Sequence, residues 1–311
     1  MVFWINLHPN HSDLISEKLH ITSPFSLIAA KVRDYAAFSK LRLASLVLLS
    51  ALAGYWLATP HFSWIMAGWL MLGGLLVTGA SNGFNQIIER DLDKLMERTK
   101  NRPIPTGRMS VTEALILAST MAIIGTFILW YFLNPLTGIL GAFALVSYAA
   151  VYTPMKQISP LAVYIGAIPG AIPPMIGYAA YTGELGLEAG ILFAVQFAWQ
   201  FPHFWAIAWK GDKDYQKAGF KLLPSKGGKN KSSAIQILLS ALILIPISLL
   251  PIYFGISGYI AGIVSGITGL WFAYLALKLY QGMEDKHATK LMFASFIYLP
   301  IVLLVFVLDK I

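Results

Sequence analysis

The sequence contains no cysteine and little charge. With no cysteine among its 311 residues, the chain can form no disulfide, no thiolate metal site and no thiol nucleophile. Only 12% of the residues are charged and 57% are hydrophobic, whereas roughly a quarter of the residues of a soluble domain are charged. This balance predicts an integral membrane protein embedded in a lipid bilayer.

The formal net charge of +8 is a feature that a nucleic-acid-binding protein would share. In a membrane protein, however, the positions of the basic residues matter more than their sum. The sequence also lacks a Walker loop, a dinucleotide-binding fingerprint, a nucleophile elbow and a zinc-protease motif. We therefore expect no nucleic-acid partner.

The N-terminal segment lacks the features of a cleavable signal peptide. Residues 1–26 have no basic n-region, no apolar run of about 7–15 residues and no small-residue cleavage site. We predict that residues 1–37 form a cytoplasmic lead-in, amphipathic or partly disordered, and that residues 38–311 form one membrane domain.

Nine apolar stretches approach the length of about 20 residues that a helix needs to cross the hydrocarbon core of a bilayer. They are Leu41–Thr59, Phe62–Asn82, Thr112–Leu133, Leu136–Tyr152, Leu161–Ala180, Leu185–Trp209, Ala234–Phe254, Gly258–Leu277 and Leu291–Leu308. Proline and glycine lie in the gaps between them, as at Pro60 and Gly255. The predicted fold is an all-α polytopic bundle of nine transmembrane helices.

The distribution of basic residues supports this count. If the N-terminus is cytoplasmic, 22 of the 23 lysines and arginines fall on the cytoplasmic side and only Lys310 falls outside. The positive-inside rule requires such a bias, and a wrong number of spans would break it. We predict a cytoplasmic N-terminus, an external C-terminus and a functional cytoplasmic face formed by the long loops 83–111 and 210–233, in a bacterial plasma membrane.

The first long loop carries a cluster of charge. Residues 89–108 contain four acids and six bases. Asn85, Glu89 and Asp93 are spaced by four, so on a helix they share one face. Two carboxylates and an amide oxygen suit a hard cation such as Mg²⁺, which also takes phosphate oxygens of a substrate. The nearby bases that suit those phosphate oxygens are Arg98, Lys100 and Arg102.

The same spacing also fits a solvated extension of the helix. In that interpretation Glu89 and Asp93 would pair with Lys94 and Arg98 at the membrane surface. Orientation in the membrane would explain the bases but not the acids, because the positive-inside rule does not require acidic residues.

The second long loop follows the polar and aromatic run QFAWQFPHFWAIAWKGDKDY, residues 196–215. At about 100° per residue, His203, Lys210 and Asp214 share one helix face unless the helix ends at Gly211. An ionisable residue inside a span is a functional candidate, and His203 could ligate iron, move a proton or bind a carboxylate. The alternatives are a structural histidine bonded across helices and a lysine that anchors the span at the interface.

Lys156 lies in a segment rich in proline and glycine, residues 152–178. It could face a cytoplasmic cavity together with the residues of the two long loops. Small residues permit helices to approach closely, and broken helices often border a site in membrane proteins. Ordinary packing between helices would explain the segment equally well.

The run NQIIERDLDKLMERTKNRP, residues 85–103, resembles the first Asp-rich motif of the UbiA superfamily of intramembrane prenyltransferases, N-x-x-x-D-x-x-x-D. Two further segments, WQFPHFWAIAWKGDKDY and GAIPGAIPPMIGY, are similar to the members of that superfamily that prenylate heme. The resemblance covers about residues 38–305. Glu89 stands where the motif has Asp, and KLR at residues 40–42 lacks a proline that the resemblance leads us to expect.

The resemblance implies a UbiA-type bundle and the Mg²⁺-dependent transfer of a farnesyl group from farnesyl diphosphate to a vinyl group of heme B. Heme would be a substrate and not a cofactor, His203 would lie near the porphyrin, and a heme A synthase would be a further partner. The implied metal ligands are Asn85, Glu89, Asp93 and, from a second acidic motif, Asp214. The implied diphosphate-binding residues are Arg98, Lys100, Arg102, Lys156 and Lys210.

Two other functions fit part of the sequence. A related prenyltransferase could act on an aromatic acid for quinone synthesis, but a planar benzoate gives no obvious role to His203. A transporter would carry charges at the membrane midplane. Here the acidic residues lie outside the spans, except for Glu113 and Glu188 near span ends.

Overall fold

The structure, a computed structural model, describes residues 24–225 and 227–311 and is almost entirely helical there. Residues 1–23 of the predicted lead-in lie outside the described residues. The helices are α1 (Pro24–Ser39), α2 (Leu41–Ala58), α3 (Trp64–Ile88), α4 (Arg90–Asp93), α5 (Val111–Leu133), α6 (Pro135–Ile158), α7 (Ala162–Thr182), α8 (Leu187–Lys217), α9 (Lys231–Tyr253), α10 (Tyr259–Gly282) and α11 (Asp285–Leu308).

Eight of these helices, α3 and α5–α11, are long and apolar enough to cross a membrane. A ninth span results if the pair Phe25–Ser39 and Ala44–Ala58, bent by 57°, is counted as one. The described part of the chain therefore has eight or nine candidate spans, in agreement with the nine predicted. Their outward side chains are large and apolar, as at Ile123, Phe127 and Ile267, which suits contact with lipid.

The spans pack in a ring that follows their order in the chain. Helix α2 packs against both α3 and α7, and α8 packs against α7, α9 and α11. Helix α11 also contacts α2, so the last span meets the first and the ring closes. This arrangement leaves an interior that the spans share, and buried polar residues such as Asn82, Gln196 and Gln200 line it.

Glycine permits a close approach between α2 and α7. A Cβ atom added at Gly54 would overlap the carbonyl of Pro174, and one added at Gly177 would overlap the carbonyl of Ala51. The glycines of the segment 152–178 therefore do pack helices together, as the sequence suggested.

Helix α1 lies against the loop between α3 and α5. The Lys31 ammonium donates to the Glu113 carboxylate at 2.9 Å, and the Arg108 guanidinium donates to Asp34 at 2.9 Å. Gln86, buried in α3, donates to the Phe38 carbonyl at 2.6 Å. These contacts fix the end of α1 and the loop that carries the predicted phosphate-binding bases in one arrangement.

Candidate active site

A cavity of about 200 Å³ lies at the end of the bundle where loops 83–111 and 210–233 meet. The structure brings most of the predicted site residues to it. The charged or amide side chains that line it are Lys40, Asn85, Glu89, Asp93, Arg98, Arg102 and Lys156. Four bases and two acids therefore face one space, an excess of positive charge that suits an anionic ligand.

Asn85, Glu89 and Asp93, which are spaced by four, lie together even though the helix is interrupted between α3 and α4. Helix α3 ends at Ile88 and the short α4 begins at Arg90, with Glu89 between them. The turn continues because the Glu89 N–H donates to the Asn85 carbonyl at 2.9 Å and the Asp93 N–H donates to the Glu89 carbonyl at 2.8 Å. All three side chains consequently point to the cavity.

These residues are not a solvated stripe. The exposed fractions of Asn85, Glu89 and Asp93 are 2%, 4% and 0%. The interpretation as a solvated helix extension is therefore wrong. Lys94 pairs with the exposed Asp91 instead, at 2.9 Å.

Glu89 pairs with Lys156 across the bundle. The Lys156 ammonium donates to Glu89 Oε1 at 2.7 Å, and both side chains are less than a tenth exposed. Lys156 follows a π-helical turn, Ser147–Tyr152, of the kind that occurs at functional sites. That turn places Tyr148 and Tyr152 on the cavity wall as well.

Only one of the two carboxylate oxygens of Asp93 accepts a hydrogen bond from the described residues. Its Oδ2 accepts from the Arg102 guanidinium at 2.6 Å, while the buried Oδ1 has no hydrogen-bond partner in the described part of the chain. Burial raises the pKa of the Asp93 carboxyl above its ordinary value, and the charge of Arg102 opposes this shift. A second cation near Oδ1 would therefore stabilise the ionised form.

Asn85 is oriented by Thr153. The Asn85 side-chain amide donates to Thr153 Oγ1 at 3.1 Å, and the Thr153 hydroxyl in turn donates to the Tyr148 carbonyl at 2.9 Å. The amide oxygen of Asn85, like Glu89 Oε2, makes no hydrogen bond to the described residues. Each of the three residues thus keeps one oxygen without a hydrogen bond to the described residues, and that of Asp93 is fully buried.

This donor set fits a magnesium ion. Within residues 24–225 and 227–311 no group of three or more His, Cys, Asp or Glu side chains could hold a metal, so a site made by protein carboxylates alone is absent there. Mg²⁺ needs only one or two carboxylates, because water and substrate phosphate oxygens complete its octahedral shell. Glu89, Asp93 and the amide oxygen of Asn85 meet that requirement.

Three predicted site residues lie away from the cavity. Lys100 is exposed and pairs with Glu97, and the Lys210 ammonium lies 5.9 Å from the ring centroid of Phe293. Asp214 binds the backbone of the first loop. Its two oxygens accept from the N–H groups of Glu97 and Arg98, at 3.0 and 3.1 Å. Helix α8 continues past Gly211 to Lys217, and this places Asp214 beside that loop.

The role of Asp214 can be tested through the loop. Asp214→Ala removes the acceptor of two backbone N–H groups, so we expect the free energy of unfolding to fall by about 1–2 kcal/mol. The Mg²⁺ concentration for half-maximal activity should change little. Thermal unfolding in detergent and a Mg²⁺ titration measure the two quantities. A large rise in the Mg²⁺ requirement with unchanged stability would support the predicted metal role instead.

A second cavity, of about 260 Å³, lies inside the bundle and is mainly apolar. It shares four lining residues with the charged cavity, which are Tyr148, His203, Phe204 and Phe296. The two spaces are therefore neighbours, with the charged one at the loop end and the apolar one deeper among the spans. A ligand with an anionic head and a hydrocarbon tail fits this arrangement.

His203 lies where the two cavities meet. Its Nδ1 atom is 2.6 Å from the hydroxyl of Ser295 on α11. The ring stacks on Trp199 with a centroid distance of 4.4 Å and meets Phe296 edge to face at 5.0 Å. It is thus bonded across helices, as the structural alternative predicted, and it also lines both cavities.

Sequence reasoning did not place Lys40 in the site. Lys40 was counted only as an orientation charge, yet its backbone adopts the left-handed conformation (φ 50°) between α1 and α2 and its side chain lines the charged cavity. A signal was present in the segment KLR, which the resemblance had singled out. Such a conformation is uncommon for a residue other than glycine.

Comparisons with known proteins identify the family of this chain. Residues 47–298 match the UbiA prenyltransferase family. The chain therefore belongs to the UbiA prenyltransferase family, as the Asp-rich motif predicted, and it is a prenyltransferase and not a transporter.

The names of two similar proteins are more specific than the name of the family. The chain is 46% identical over 285 residues to a protoheme IX farnesyltransferase of Cytophaga hutchinsonii, covering 91% of this chain and 100% of that protein. It is 46% identical over 286 residues to a protoheme IX farnesyltransferase of Flavobacterium psychrophilum, covering 89% of this chain and 94% of that protein.

Solved structures share the fold. A digeranylgeranylglyceryl phosphate synthase superposes with a TM-score of 0.74 at 20% identity, over 90% of this chain and 98% of that one. A UbiA homolog from Archaeoglobus fulgidus bound to GPP and Mg²⁺ superposes with a TM-score of 0.68 at 16% identity, over 88% of this chain and 99% of that one.

Proposed function

We propose that this protein transfers a farnesyl group from farnesyl diphosphate to a vinyl group of heme B and adds water, giving heme O and diphosphate. The observation that carries the proposal is the contact between a charged cavity and an apolar cavity at His203. The names of its relatives support heme as the acceptor, in preference to an aromatic acid.

The charged cavity is proposed to bind the diphosphate. Asn85, Glu89 and Asp93 would hold Mg²⁺, which when bound neutralises phosphate charge as a Lewis acid. The guanidinium groups of Arg98 and Arg102 match phosphate oxygens in bidentate geometry. The ammonium groups of Lys40 and Lys156 would add point charges to the same ligand.

Ion pairs within the cavity neutralise its two buried carboxylates. Glu89 is neutralised by Lys156 and Asp93 by Arg102. With Mg²⁺ and diphosphate bound, the carboxylates would hold the metal and the bases would hold the phosphates, so each group would exchange one opposite charge for another. Buried charges are costly when unpaired, and this exchange leaves none unpaired.

The reaction begins when the allylic C–O bond of farnesyl diphosphate breaks and its electron pair leaves with the diphosphate. The four bases stabilise the charge of the leaving group, which is electrostatic catalysis in a site sheltered from water. The aromatic faces of Tyr148, Phe204 and Phe296 line the junction. They would stabilise the developing allylic cation and shield it from premature capture.

The acceptor supplies the next electron pair. The π electrons of the heme vinyl group form the new C–C bond to the farnesyl carbon, and a positive charge develops on the vinyl carbon attached to the porphyrin. Water adds there and loses a proton, giving the hydroxyethylfarnesyl group without any change of oxidation state at iron. His203 is proposed to lie beside the porphyrin during these steps.

The site is proposed to face the cytoplasm, in the plasma membrane of a bacterium. The predicted bias of 22 of 23 basic residues to one side supports a cytoplasmic N-terminus and an external C-terminus. A reporter enzyme fused to the C-terminus should be active only outside the cytoplasm. Contact with a heme A synthase, which would consume heme O, stays a prediction.

The proposal is tested most simply in cells. Extracts of a host that lacks heme O, with and without the gene, are compared by chromatography and mass spectrometry of extracted hemes. Heme O is expected only with the gene and with an intact Asp93. Accumulation of a prenylated aromatic acid without heme O would contradict the proposal.

A further inference from the structure

Ser295 is a fully buried residue of α11, and its hydroxyl makes two short hydrogen bonds. The oxygen lies 2.6 Å from His203 Nδ1 and 2.6 Å from the Met292 carbonyl oxygen. Nothing in the sequence distinguishes this serine from the other hydroxyl residues of the spans. Its position beside His203 gives it a role of its own.

These two contacts constrain the positions of the hydroxyl and imidazole protons. A carbonyl oxygen can only accept, so the single hydroxyl proton of Ser295 is donated to Met292. With its one proton placed there, the hydroxyl can only accept from His203, and Nδ1 then carries the ring proton. An imidazole buried among aromatic rings is neutral, because charging it there would cost desolvation, and a neutral imidazole has one ring proton. The other ring nitrogen, Nε2, consequently carries a lone pair.

The ring is also held in place by Trp199. The Trp199 ring stacks on the imidazole with an angle of 16° between the planes, and Trp199 Nε1 donates to the Ser295 backbone carbonyl at 3.0 Å. Ser295 thus anchors both the imidazole and the ring that covers it. Nε2 makes no hydrogen bond to the described residues, although the imidazole lines both cavities.

We infer that Ser295 is a positioning residue that keeps the His203 proton on Nδ1, so that the Nε2 lone pair can bind the iron of the heme substrate. The iron in this inference rests on the proposed function; the position of the proton does not. A partner of this kind fixes the tautomer and direction of a metal-binding histidine, and losing it typically weakens metal affinity about 10–100-fold.

The tautomer can be measured on the unaltered protein. The full chain is labelled with ¹⁵N-histidine and purified in detergent without heme, and the ring-nitrogen shifts show which nitrogen carries hydrogen. The signals of His203 are those missing from His203→Gln. A proton on Nδ1 is expected, and a proton on Nε2 would overturn the inference even if the Ser295 variants failed to fold.

Heme titration tests the consequence. Ferric heme is added to the purified protein and binding is followed by the absorption bands of histidine-ligated iron. Ser295→Ala should weaken apparent heme affinity at least about tenfold, and it should have no further effect in a His203→Gln background. Ser248→Ala is the matched control. Ser248, on α9, is equally buried, and its hydroxyl lies 2.7 Å from the hydroxyl of Tyr298 on α11, the helix of Ser295.

The outcomes separate the two claims. If Ser295→Ala binds heme like the unaltered protein, or weakens it no more than Ser248→Ala does, the positioning role is wrong. If the unaltered protein binds no heme, the proposed function fails and iron ligation fails with it. The nitrogen shifts still decide the tautomer in that case.

Discussion

Replacing Asp93 by asparagine is expected to lower the rate of heme O formation by at least about a thousandfold. The residue is fully buried, one of its oxygens has no partner among the described residues, and the other binds Arg102. The amide would keep the shape but lose the charge that a metal needs, and a loss of several kcal/mol of charge stabilisation corresponds to such a factor. The rate is measured with purified enzyme, farnesyl diphosphate, heme B and Mg²⁺.

Asp91→Asn is the control for this experiment. Asp91 lies two residues away but is exposed and pairs with Lys94, and that pairing holds the pKa of its carboxyl below the ordinary value. Its substitution should leave the rate unchanged. Near-normal activity of Asp93→Asn would remove the metal from the proposed mechanism.

Lys156→Met is expected to destabilise the protein by about 3–5 kcal/mol as well as to weaken diphosphate binding. The substitution leaves Glu89 as an uncompensated carboxylate in a site where it is only 4% exposed. Removing one partner of a buried ion pair is far more costly than removing both. Thermal or denaturant unfolding in detergent measures the stability, and inhibition by inorganic diphosphate measures the binding.

The double variant Lys156→Met with Glu89→Gln tests whether the unpaired Glu89 carboxylate causes the loss of stability. It should recover most of the stability but none of the activity, because the neutral amide no longer needs a cation and no longer binds a metal. Lys94→Met, at an exposed pair, should change neither quantity. If the double variant were as unstable as Lys156→Met alone, the loss would come from packing and not from the unpaired charge.

The architecture could be predicted because a membrane span needs a long apolar run. The ends of the spans were predicted less well, since hydropathy ends at the membrane surface while the helix continues. The second span was predicted to end at Asn82 and ends at Ile88, and the sixth was predicted to end at Trp209 and ends at Lys217. Both extensions carry predicted site residues to the charged cavity or to the loops beside it.

The spacing by four was a sufficient signal for Asn85, Glu89 and Asp93, because these residues are close in sequence. The pairing of Glu89 with a residue far away in the chain was not predictable in this way. Lys156 is 67 positions from Glu89, and only the packing of α6 against α3 brings the two together. Sequence alone also cannot tell a carboxylate that faces the cavity from one that binds a loop, which is where Asp214 is found.

Ser295 marks the limit of prediction from the sequence. A single serine in an apolar span has no distinguishing pattern, and its meaning comes from the imidazole 92 positions away that its hydroxyl contacts. Lys40 gave a stronger signal, but a lysine at a membrane surface is already explained by orientation. The role of Lys40 was missed because orientation in the membrane already accounts for its charge.

The measurement that tests the central claim most directly is a reconstituted assay. Purified protein in lipid vesicles receives farnesyl diphosphate and heme B, with Mg²⁺ or with a chelator, and the hemes and free diphosphate are quantified together. We predict heme O and diphosphate in equal amounts, dependent on Mg²⁺ and lost in Asp93→Asn. Diphosphate release without heme O, or equal conversion with the chelator present, would contradict the account.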